Sequence, residues 1–304
     1  MKNNKTITAT LAALFAQIIF GFSFMFTKIS LGFSSPFVVI ADRYIVAFSG
    51  LTLVMIFTGQ KFKIGKNIRK LIIMSVFQPL LYFIFESYGI ALTTSAFSSV
   101  MIALIPVVAM ICGIFVLNEK PSPFQYLFTV LSVAGVAIMA LAGNKDGTVT
   151  PLGIILLAGA VVSSAAYNMI SRKISAEFSV FERTYAMTAI GLASFLSIAL
   201  IENISQPAKI VSSFTESSYL LSILYLGIVS SVFAFLLLNY ANTHLPVAKT
   251  TVFSNLTTVV SVIAGTFFLN EKLSGISVLG VLMIITGVFG VQMLSVKNVQ
   301  KNQS

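Results

Sequence analysis

Long apolar stretches alternate with short polar connections along almost the whole chain. A helix that crosses the hydrocarbon core of a bilayer needs about 20 consecutive apolar residues, and reading the chain with that window predicts ten spans. The predicted spans are about 8–31, 36–58, 71–93, 96–117, 124–142, 151–171, 181–201, 218–240, 246–269 and 274–295. The longest connections are 59–70 and 202–217. The pattern therefore predicts an all-α integral membrane protein with ten transmembrane helices.

The tetrapeptide Leu-Asn-Glu-Lys occurs twice, at 117–120 and at 269–272, an offset of 152 residues. Identical residues recur at this offset over about fifty positions without a gap: Tyr88 and Tyr240, Ala96 and Ala248, Gly113 and Gly265, Phe115 and Phe267, Gly135 and Gly287, Val136 and Val288. Earlier in the chain, Lys28-Ile29-Ser30 matches Lys173-Ile174-Ser175 at an offset of 145. Because the tetrapeptides follow predicted spans four and nine, we expect them at the membrane surface and not in a substrate site.

The repeat divides the chain into two five-helix units, residues 1–145 and residues 146–304, the second ending in a short cytoplasmic tail. Because five is an odd number, the second unit crosses the membrane in the opposite direction to the first. Many secondary transporters are built from such inverted repeats, with the substrate site near the bilayer midplane between them. The alternative is a duplicated scaffold that transports nothing. We predict two inverted five-helix repeats.

Composition strengthens the membrane interpretation. The chain is 57% hydrophobic and only 9% charged, whereas a soluble domain carries about 25% charged residues. The net charge of +10 is compatible with a nucleic-acid partner, but Lys61, Lys63, Lys66, Arg69 and Lys70 lie in one connection, as expected for a cytoplasmic loop. We therefore expect no nucleic-acid partner, a location in the cell (inner) membrane, and both termini in the cytoplasm.

The motifs of common enzymes and pumps do not occur in the sequence. It has no phosphate-binding Gly-Lys-Ser loop, no His-Glu zinc pair and no set of Ser, His and Asp suited to nucleophilic catalysis. The lone Cys112 lies in an apolar run, so no intrachain disulfide can form. We expect no enzymatic activity, no cofactor and no metal.

Glu86 is the clearest candidate for a substrate-binding residue. An ionisable side chain within a span costs several kcal/mol unless it is paired or faces water. Gln78, Tyr82 and Glu86 are spaced four residues apart, so a continuous helix would place them on one face. We expect this face to point into the bundle and to bind a substrate amine or a proton. The alternative is a structural hydrogen bond to a neighbouring helix.

Arg43 follows Asp42 within the second predicted span. One interpretation is a local ion pair or a side chain that extends toward the membrane interface. The other is a counter-ion for Glu86 or for a substrate carboxylate. Arg183, beside Glu182, holds the related place in the seventh span, and we expect both residues of that pair at the interface.

Spans six and nine also carry polar residues. The offset of 145 aligns Asn168, beside Tyr167, with Ser23 in the first span; Ser254 and Asn255 lie in span nine. Polar residues in spans either join helices or line a cavity. The candidate substrate-binding residues are therefore Glu86, Tyr82, Gln78, Asn168, Tyr167, Ser23, Asn255, Ser254 and Arg43.

These features resemble the drug/metabolite transporter superfamily, in particular its members with two tandem EamA domains. The resemblance covers about residues 8–295 and rests on Gly21-Phe22-Ser23-Phe24-Met25-Phe26-Thr27-Lys28, Asp42-Arg43-Tyr44, Ile105-Pro106, both tetrapeptides, Gly135-Val136 and Gly287-Val288. It implies a ten-helix fold that moves small metabolites, often amino acids and often outward, without a bound cofactor. The sequence departs from the family where Phe20 and Ala165 replace an expected Trp and where Thr258 replaces an expected Pro.

From the resemblance we predict a secondary transporter that exports amino acids or related compounds by alternating access. A metabolite uptake permease is one alternative, and a non-transporting membrane scaffold or lipid-handling subunit is another. The predicted partners are a small-molecule substrate and the lipid bilayer, and a homodimer is compatible with the sequence.

Overall fold

The computed structural model describes residues 2–60, 62, 67–105, 107–108, 111, 122–145, 149–205, 213–245, 253–271 and 274–301. For residues 2–4, 139–145, 254–255, 291–292 and 294–301 the structure describes the backbone and not the side chains. Cys112, Pro106, the tetrapeptide at 117–120 and three of the five basic residues of the 59–70 connection lie outside the described residues. The described part of the chain is helical and contains no strand.

Twelve α-helices are described in chain order: α1 (Lys2–Ser30), α2 (Pro36–Thr58), α3 (Ile68–Ser75), α4 (Tyr82–Ala91), α5 (Ser95–Ile102), α6 (Pro123–Lys145), α7 (Pro151–Ile174), α8 (Val180–Glu202), α9 (Ser217–Leu224), α10 (Phe235–His244), α11 (Ser254–Phe268) and α12 (Gly275–Lys301). Wider, π-helical segments join α3 to α4 (Val76–Leu81) and α9 to α10 (Tyr225–Ala234). A 3₁₀ turn, Ser213–Thr215, precedes α9.

Six described helical runs are long and apolar enough to cross a membrane: Lys5–Ser30, Pro36–Thr58, Ile68–Ala91, Pro151–Ile174, Val180–Glu202 and Ser217–His244. They coincide with predicted spans one, two, three, six, seven and eight. Shorter apolar helices cover Pro123–Ile138, Leu256–Phe268 and Gly275–Gly290. The other four predicted spans stay a prediction.

The helix ends follow local sequence signals. The side chain of Ser179 accepts a hydrogen bond from Glu182 N, and the Glu182 side chain accepts one from Ser179 N, so a capping box starts α8. Pro36 occupies the first turn of α2, where its missing N–H costs nothing. Gly59 ends α2 with φ of 65°, a backbone conformation that favours glycine.

The bundle has two ends, which we name by residues that mark them. At the Ser30 end, Ser35 Oγ donates to Glu202 Oε2 at 2.9 Å and ties α2 to α8. At the Glu177 end, Lys70 forms an ion pair with Glu177. The hydrogen bond from Lys70 holds the pKa of the exposed Glu177 carboxyl below its usual range. Exposed pairs of this kind contribute little to stability, because water screens them.

Basic side chains at the ends of α1 and α7 bind the ends of α4 and α10 in the same way. Lys28 Nζ donates to Ile90 O at 2.8 Å, and Arg172 Nη1 donates to Asn242 O at 2.8 Å. Ile90 and Asn242 are separated by the 152-residue offset. Each cation satisfies carbonyl groups that a helix end leaves without intrahelical partners. The two repeats therefore share this packing.

Helices α6 and α12 meet at two glycines related by the same offset. A Cβ added to Gly135 would lie 2.7 Å from Gly280 O, and one added to Gly287 would lie 2.6 Å from Phe128 O. Phe128 precedes Gly280 by 152 residues, and Gly135 precedes Gly287 by the same number. The two contacts are therefore equivalent: exchanging the repeats turns one into the other. From Phe128 to Gly135 along α6, the contact partner on α12 moves back from Gly287 to Gly280. Helices α6 and α12 are therefore antiparallel.

Replacing Gly287 with alanine should destabilise the protein by about 1–3 kcal/mol, because the added methyl group forces two helix backbones apart. Gly275→Ala is the matched control, since a Cβ there meets nothing within 4 Å. The measurement is the thermal unfolding midpoint of each purified variant in detergent. Gly135→Ala should behave like Gly287→Ala. Equal midpoints for Gly287→Ala and Gly275→Ala would contradict the close packing.

Glu271, from the second tetrapeptide, joins the two repeats at the Ser30 end. Its carboxylate oxygens accept hydrogen bonds from Ser95 N at 2.8 Å and from Ala96 N at 3.0 Å. The hydroxyl of Ser261 on α11 donates to Ser95 O nearby. A carboxylate at a helix N-terminus satisfies free N–H groups and complements the helix dipole. Glu271 therefore caps α5 from the other half of the chain.

Candidate functional site

A cavity of about 60 Å³ lies inside the helix bundle. It has room for only a few water molecules, so a substrate of metabolite size would require the helices to move apart. The polar lining residues are Gln17, Ser23, Arg43, Gln78, Tyr82, Glu86, Ser164, Asn168, Ser230 and Thr257. The apolar lining residues are Phe20, Phe24, Phe83, Ile102, Ile105, Phe235 and Leu238.

Much of the lining consists of positions that the sequence repeat relates. The pairs at the offset of 152 are Gln78 and Ser230, Phe83 and Phe235, Glu86 and Leu238, and Ile105 and Thr257; Ser23 and Asn168 pair at the offset of 145. The two π-helical segments, Val76–Leu81 and Tyr225–Ala234, overlap at the same offset. The cavity therefore lies where equivalent surfaces of the two repeats face each other.

The backbone departs from helical geometry at Gln78, with φ of −146° and ψ of 114°. Gln78, Tyr82 and Glu86 thus do not lie on one face of a continuous helix, and that part of the prediction was wrong. All three side chains are nevertheless buried and line the cavity. Irregular backbone at membrane depth is tolerated where it is buried in protein or lines a cavity, which is its position here.

Glu86 and Gln78 present acceptor atoms at the cavity. The Tyr82 hydroxyl donates to Glu86 Oε1 at 2.8 Å. Gln78 Oε1 is buried and has no hydrogen-bond partner among the described residues. Buried acceptors are nearly always satisfied in folded proteins. An unsatisfied one in a cavity wall is therefore a place where a ligand or a water molecule can donate a hydrogen bond.

Arg43 is held by the second repeat. Its Nε donates to Ser231 Oγ at 2.6 Å and its Nη2 donates to Ser230 Oγ at 2.9 Å. Its Cζ lies 4.2 Å from the centroid of the Phe83 ring, a cation–π contact. Only 4% of Arg43 is exposed. The side chain neither extends to the membrane interface nor pairs with Asp42, so that interpretation was wrong.

No direct hydrogen bond or ion pair joins the basic and the acidic side chain of the described cavity lining. Arg43 and Glu86 both line the cavity, but they form no ion pair. The hydroxyls of Ser230 and Ser231 bind the guanidinium, and the hydroxyl of Tyr82 binds the carboxyl. A ligand that carries both a negative and a positive group can therefore find a partner for each.

Asn168 and Tyr167 have different positions. Asn168 lines the cavity, and its Oδ1 accepts a hydrogen bond from Asn242 Nδ2 at 3.1 Å. Tyr167 is fully buried behind the wall, where its hydroxyl donates to Asn239 Oδ1 at 3.0 Å. Of the other candidates, Ser23 lines the cavity, and the side chains of Ser254 and Asn255 lie outside the described residues.

Arg183 is fully buried between helices; its expected position at the membrane interface stays a prediction. Its Nη1 donates to Ser171 Oγ at 2.7 Å and to Ser171 O at 3.0 Å. Its Nη2 donates to Asn239 O at 3.0 Å and to Thr243 Oγ1. These bonds join α7, α8 and α10 behind the cavity and give Arg183 a packing role.

Arg43 and Arg183 are also not equivalent in the repeat. Arg43 comes eight residues after Ser35, the residue that precedes α2, whereas Arg183 comes four residues after Ser179, the residue that precedes α8. Two residues on a helix that differ by four places are a full turn apart. Only Arg43 therefore reaches the cavity.

Sequence reasoning missed the hydroxyls that position Arg43. Ser230 and Ser231 stand in an otherwise apolar run, and short hydroxyl side chains cause little penalty in a span. The repeat offset could have found Ser230, because it is the counterpart of the candidate Gln78. The aromatic pair Phe83 and Phe235 could have been found in the same way. No signal in the sequence distinguishes Ser231.

Apolar membrane-length helices around an internal polar cavity, built from two related halves, define a multi-pass membrane transporter. The chain belongs to the EamA-like transporter family, whose sequence profile matches residues 7–141 and again residues 151–293. The two matches are the two EamA repeats, and they confirm the resemblance seen in the sequence.

The relatives share this class. The uncharacterized transporter YcxC of Bacillus subtilis (strain 168) is 33% identical over 294 residues, which cover 95% of this chain and 94% of that protein. An S-adenosylmethionine uptake transporter of Rickettsia prowazekii (strain Madrid E) is 29% identical over 200 residues, or 66% of this chain and 63% of that protein. One crystal structure matches 94% of this chain and 98% of its own with a TM-score of 0.68 at 18% identity, which shows a shared fold.

Proposed function

We propose that this protein exports amino acids or closely related small zwitterions across the cell membrane by alternating access. The observation that carries the proposal is that a basic and an acidic side chain, Arg43 and Glu86, line one buried cavity without forming an ion pair with each other. The carboxylate of an amino acid would bind Arg43, and its ammonium group would bind Glu86. Phe20, Phe83 and Phe235 would pack against the substrate side chain.

The proposal includes ten transmembrane helices in two inverted five-helix repeats, with the boundary near residue 145. The reciprocal glycine contacts of α6 and α12 support it, because equivalent helices that run antiparallel require opposite directions for the two halves. The repeat-related lining of the cavity supports it as well. A site between inverted repeats can open to either side when one half tilts against the other.

We assign the Glu177 end to the cytoplasm and the Ser30 end to the outside. The basic residues Arg69, Lys70, Arg172 and Lys173 lie toward the Glu177 end, and cytoplasmic connections carry the excess of Lys and Arg. Both termini are then cytoplasmic, and the second repeat carries a short cytoplasmic tail. The proposal holds for a monomer or for a homodimer.

An uptake permease is the second candidate, favoured by the relative named as an S-adenosylmethionine uptake transporter. S-adenosylmethionine contains an amino-acid group, so the Arg43–Glu86 pair would suit it too. A non-transporting scaffold or lipid-handling subunit agrees less well with the site. A buried arginine and a buried glutamate in one cavity reduce stability, and a scaffold has no function that would require them.

The test compares metabolites inside and outside cells that express the protein with those of cells that lack it. Export predicts that one or more amino acids rise outside, uptake predicts a rise inside, and a scaffold predicts no change. Glu86→Gln should lower the flux at least about tenfold, since the substrate ammonium group would lose its charged partner, and losing one partner of a buried charge pair costs about 2 kcal/mol or more. Glu216→Gln, at an exposed glutamate, is the matched control.

A further inference from the structure

Asp42 is a buried carboxyl that the cavity does not use. It is fully buried on α2, one residue before Arg43, but its side chain turns away from the cavity. The Tyr219 hydroxyl on α9 donates to Asp42 Oδ2 at 2.5 Å. Asp42 Oδ1 has no hydrogen-bond partner among the described residues. Among the described residues, the carboxyl thus has one hydrogen-bond partner, and its Oδ1 has none.

No cation of the described chain neutralises Asp42. The neighbouring Arg43 directs its guanidinium to Ser230 and Ser231. From α9, the titratable group that faces Asp42 is Tyr219. Other charged or titratable groups of the packed elements make different contacts: Lys28 of α1, Tyr82, Glu86 and Tyr88 of α4, Glu182, Arg183, Tyr185 and Glu202 of α8, and Tyr225 of the π-helical segment.

The surroundings favour a proton over any other ligand. Tyr219 packs in an apolar cluster with Val39 and Ile223, so a charged carboxylate here would be desolvated without compensation. Buried carboxyls in such places become neutral instead of staying charged. A metal cation would need about six oxygen ligands, whereas Asp42 and Tyr219 supply far fewer.

Hydroxyl groups connect Asp42 to the surface. The Ser34 side chain interacts with the Tyr219 hydroxyl, and Ser34 Oγ lies 2.6 Å from Ser213 Oγ. Ser34 lines an open depression of about 550 Å³ at the Ser30 end, beside Glu202. Water in that depression is therefore two hydroxyls away from the Asp42 carboxyl.

We propose that Asp42 is a proton-binding site, loaded from the Ser30 end and separate from the Arg43–Glu86 cavity. In the loading step, a hydronium ion in the outside water gives a proton to Ser34 and becomes water, Ser34 passes its own proton to Tyr219, and Tyr219 passes its own to Asp42. The net change is one proton moved from outside water to one carboxylate oxygen. Each hydroxyl gives one proton and gains one.

The site would couple proton entry to substrate exit, and this part rests on the proposed function. Asp42 and Arg43 are consecutive on α2, and both bind the second repeat, through Tyr219 and through Ser230 and Ser231. A carboxylate accepts a stronger hydrogen bond than a neutral carboxyl does. Protonation would therefore loosen the contact of α2 with α9 next to the residue that holds the substrate.

Infrared difference spectra of the purified protein at acid and alkaline pH test the proton site without a substrate. We expect a band from a protonated carboxyl that is lost in Asp42→Asn, shifted in Tyr219→Phe and kept in Glu86→Gln. A band that is unchanged in Asp42→Asn would overturn the proposal. If Asp42→Asn does not fold, the shift in Tyr219→Phe decides in its place, and no shift overturns the proposal.

Proteoliposomes loaded with a mixture of the protein-forming amino acids test the coupling. An imposed pH gradient should drive export by the unmodified protein. The gradient-driven flux of Asp42→Asn should be at least tenfold lower. The same variant should keep the exchange of amino acids across the membrane without a gradient. Gradient-driven flux that is intact in Asp42→Asn would exclude Asp42 from coupling. If the unmodified protein transports no amino acid at all, the proposed function is rejected, and the infrared test of the proton site still holds.

Discussion

Arg43→Met should reduce amino-acid transport about 100-fold or more while leaving the protein folded. Arg43 is the cationic group of the central cavity, and truncating one partner of a buried charge pair costs about 2–5 kcal/mol. Methionine has a similar length, so it fills most of the space of the Arg43 side chain without leaving a large cavity, and it removes a buried charge that is costly to desolvate. The loss should therefore appear in transport and not in folding.

Lysine should not restore the activity. The guanidinium binds Ser230 and Ser231 through two nitrogens and stacks on Phe83, and a single ammonium group cannot reproduce this geometry. The measurement is uptake of a labelled amino acid into proteoliposomes, using the compound that the metabolite comparison identifies. Arg69→Met, at an exposed arginine, is the control. If Arg43→Met transports within about twofold of the rate of the unmodified protein, Arg43 does not bind the substrate and only joins two helices.

Arg183→Ala should have the largest effect on stability, a loss of about 3–5 kcal/mol. The guanidinium satisfies Ser171, Asn239 and Thr243 together, and all four residues are shielded from water to a large extent. Hydrogen bonds to a charged group contribute about 1.5–3 kcal/mol each. The truncation also leaves a cavity between α7, α8 and α10.

Thermal unfolding of Arg183→Ala in detergent, compared with Arg69→Ala, measures this loss. At a temperature where the variant is still folded, its transport should stay close to that of the unmodified protein, because Arg183 does not line the cavity. A variant with unchanged stability and abolished transport would show that Arg183 belongs to the substrate path. Replacing Arg43 is thus expected to lower transport and leave stability largely unchanged, whereas replacing Arg183 is expected to lower stability and leave transport largely unchanged.

The family and the class of protein could be read from the sequence. The apolar runs required a membrane, and the tetrapeptide repeat revealed two related halves that the EamA profile matches. Glu86 and Asn168 were found because a polar side chain in an apolar span is costly and so stands out. Both line the cavity. The repeat offset also relates Gln78 to Ser230 in the sequence, and the structure places both in the cavity wall.

The direction in which each polar side chain points could not be read from the sequence. In a soluble protein the apolar side of a helix faces the core, but in a membrane the lipid and the protein interior are both apolar. The pattern along a span therefore says little about which side faces the neighbouring helix. Arg43 and Arg183 illustrate this, since adjacent acidic residues suggested similar places and the structure separates them completely.

By itself, the sequence determined that this protein is a helical membrane transporter made of two EamA repeats with a few polar residues inside. The tertiary structure decided which of those residues meet. It broke the helix at Gln78, placed Ser230 and Ser231 against Arg43 across 187 and 188 residues of chain, and brought the Tyr219 hydroxyl to Asp42. The physical reason is that contacts between helices distant in sequence depend on how each helix is rotated and tilted, and only packing fixes those angles.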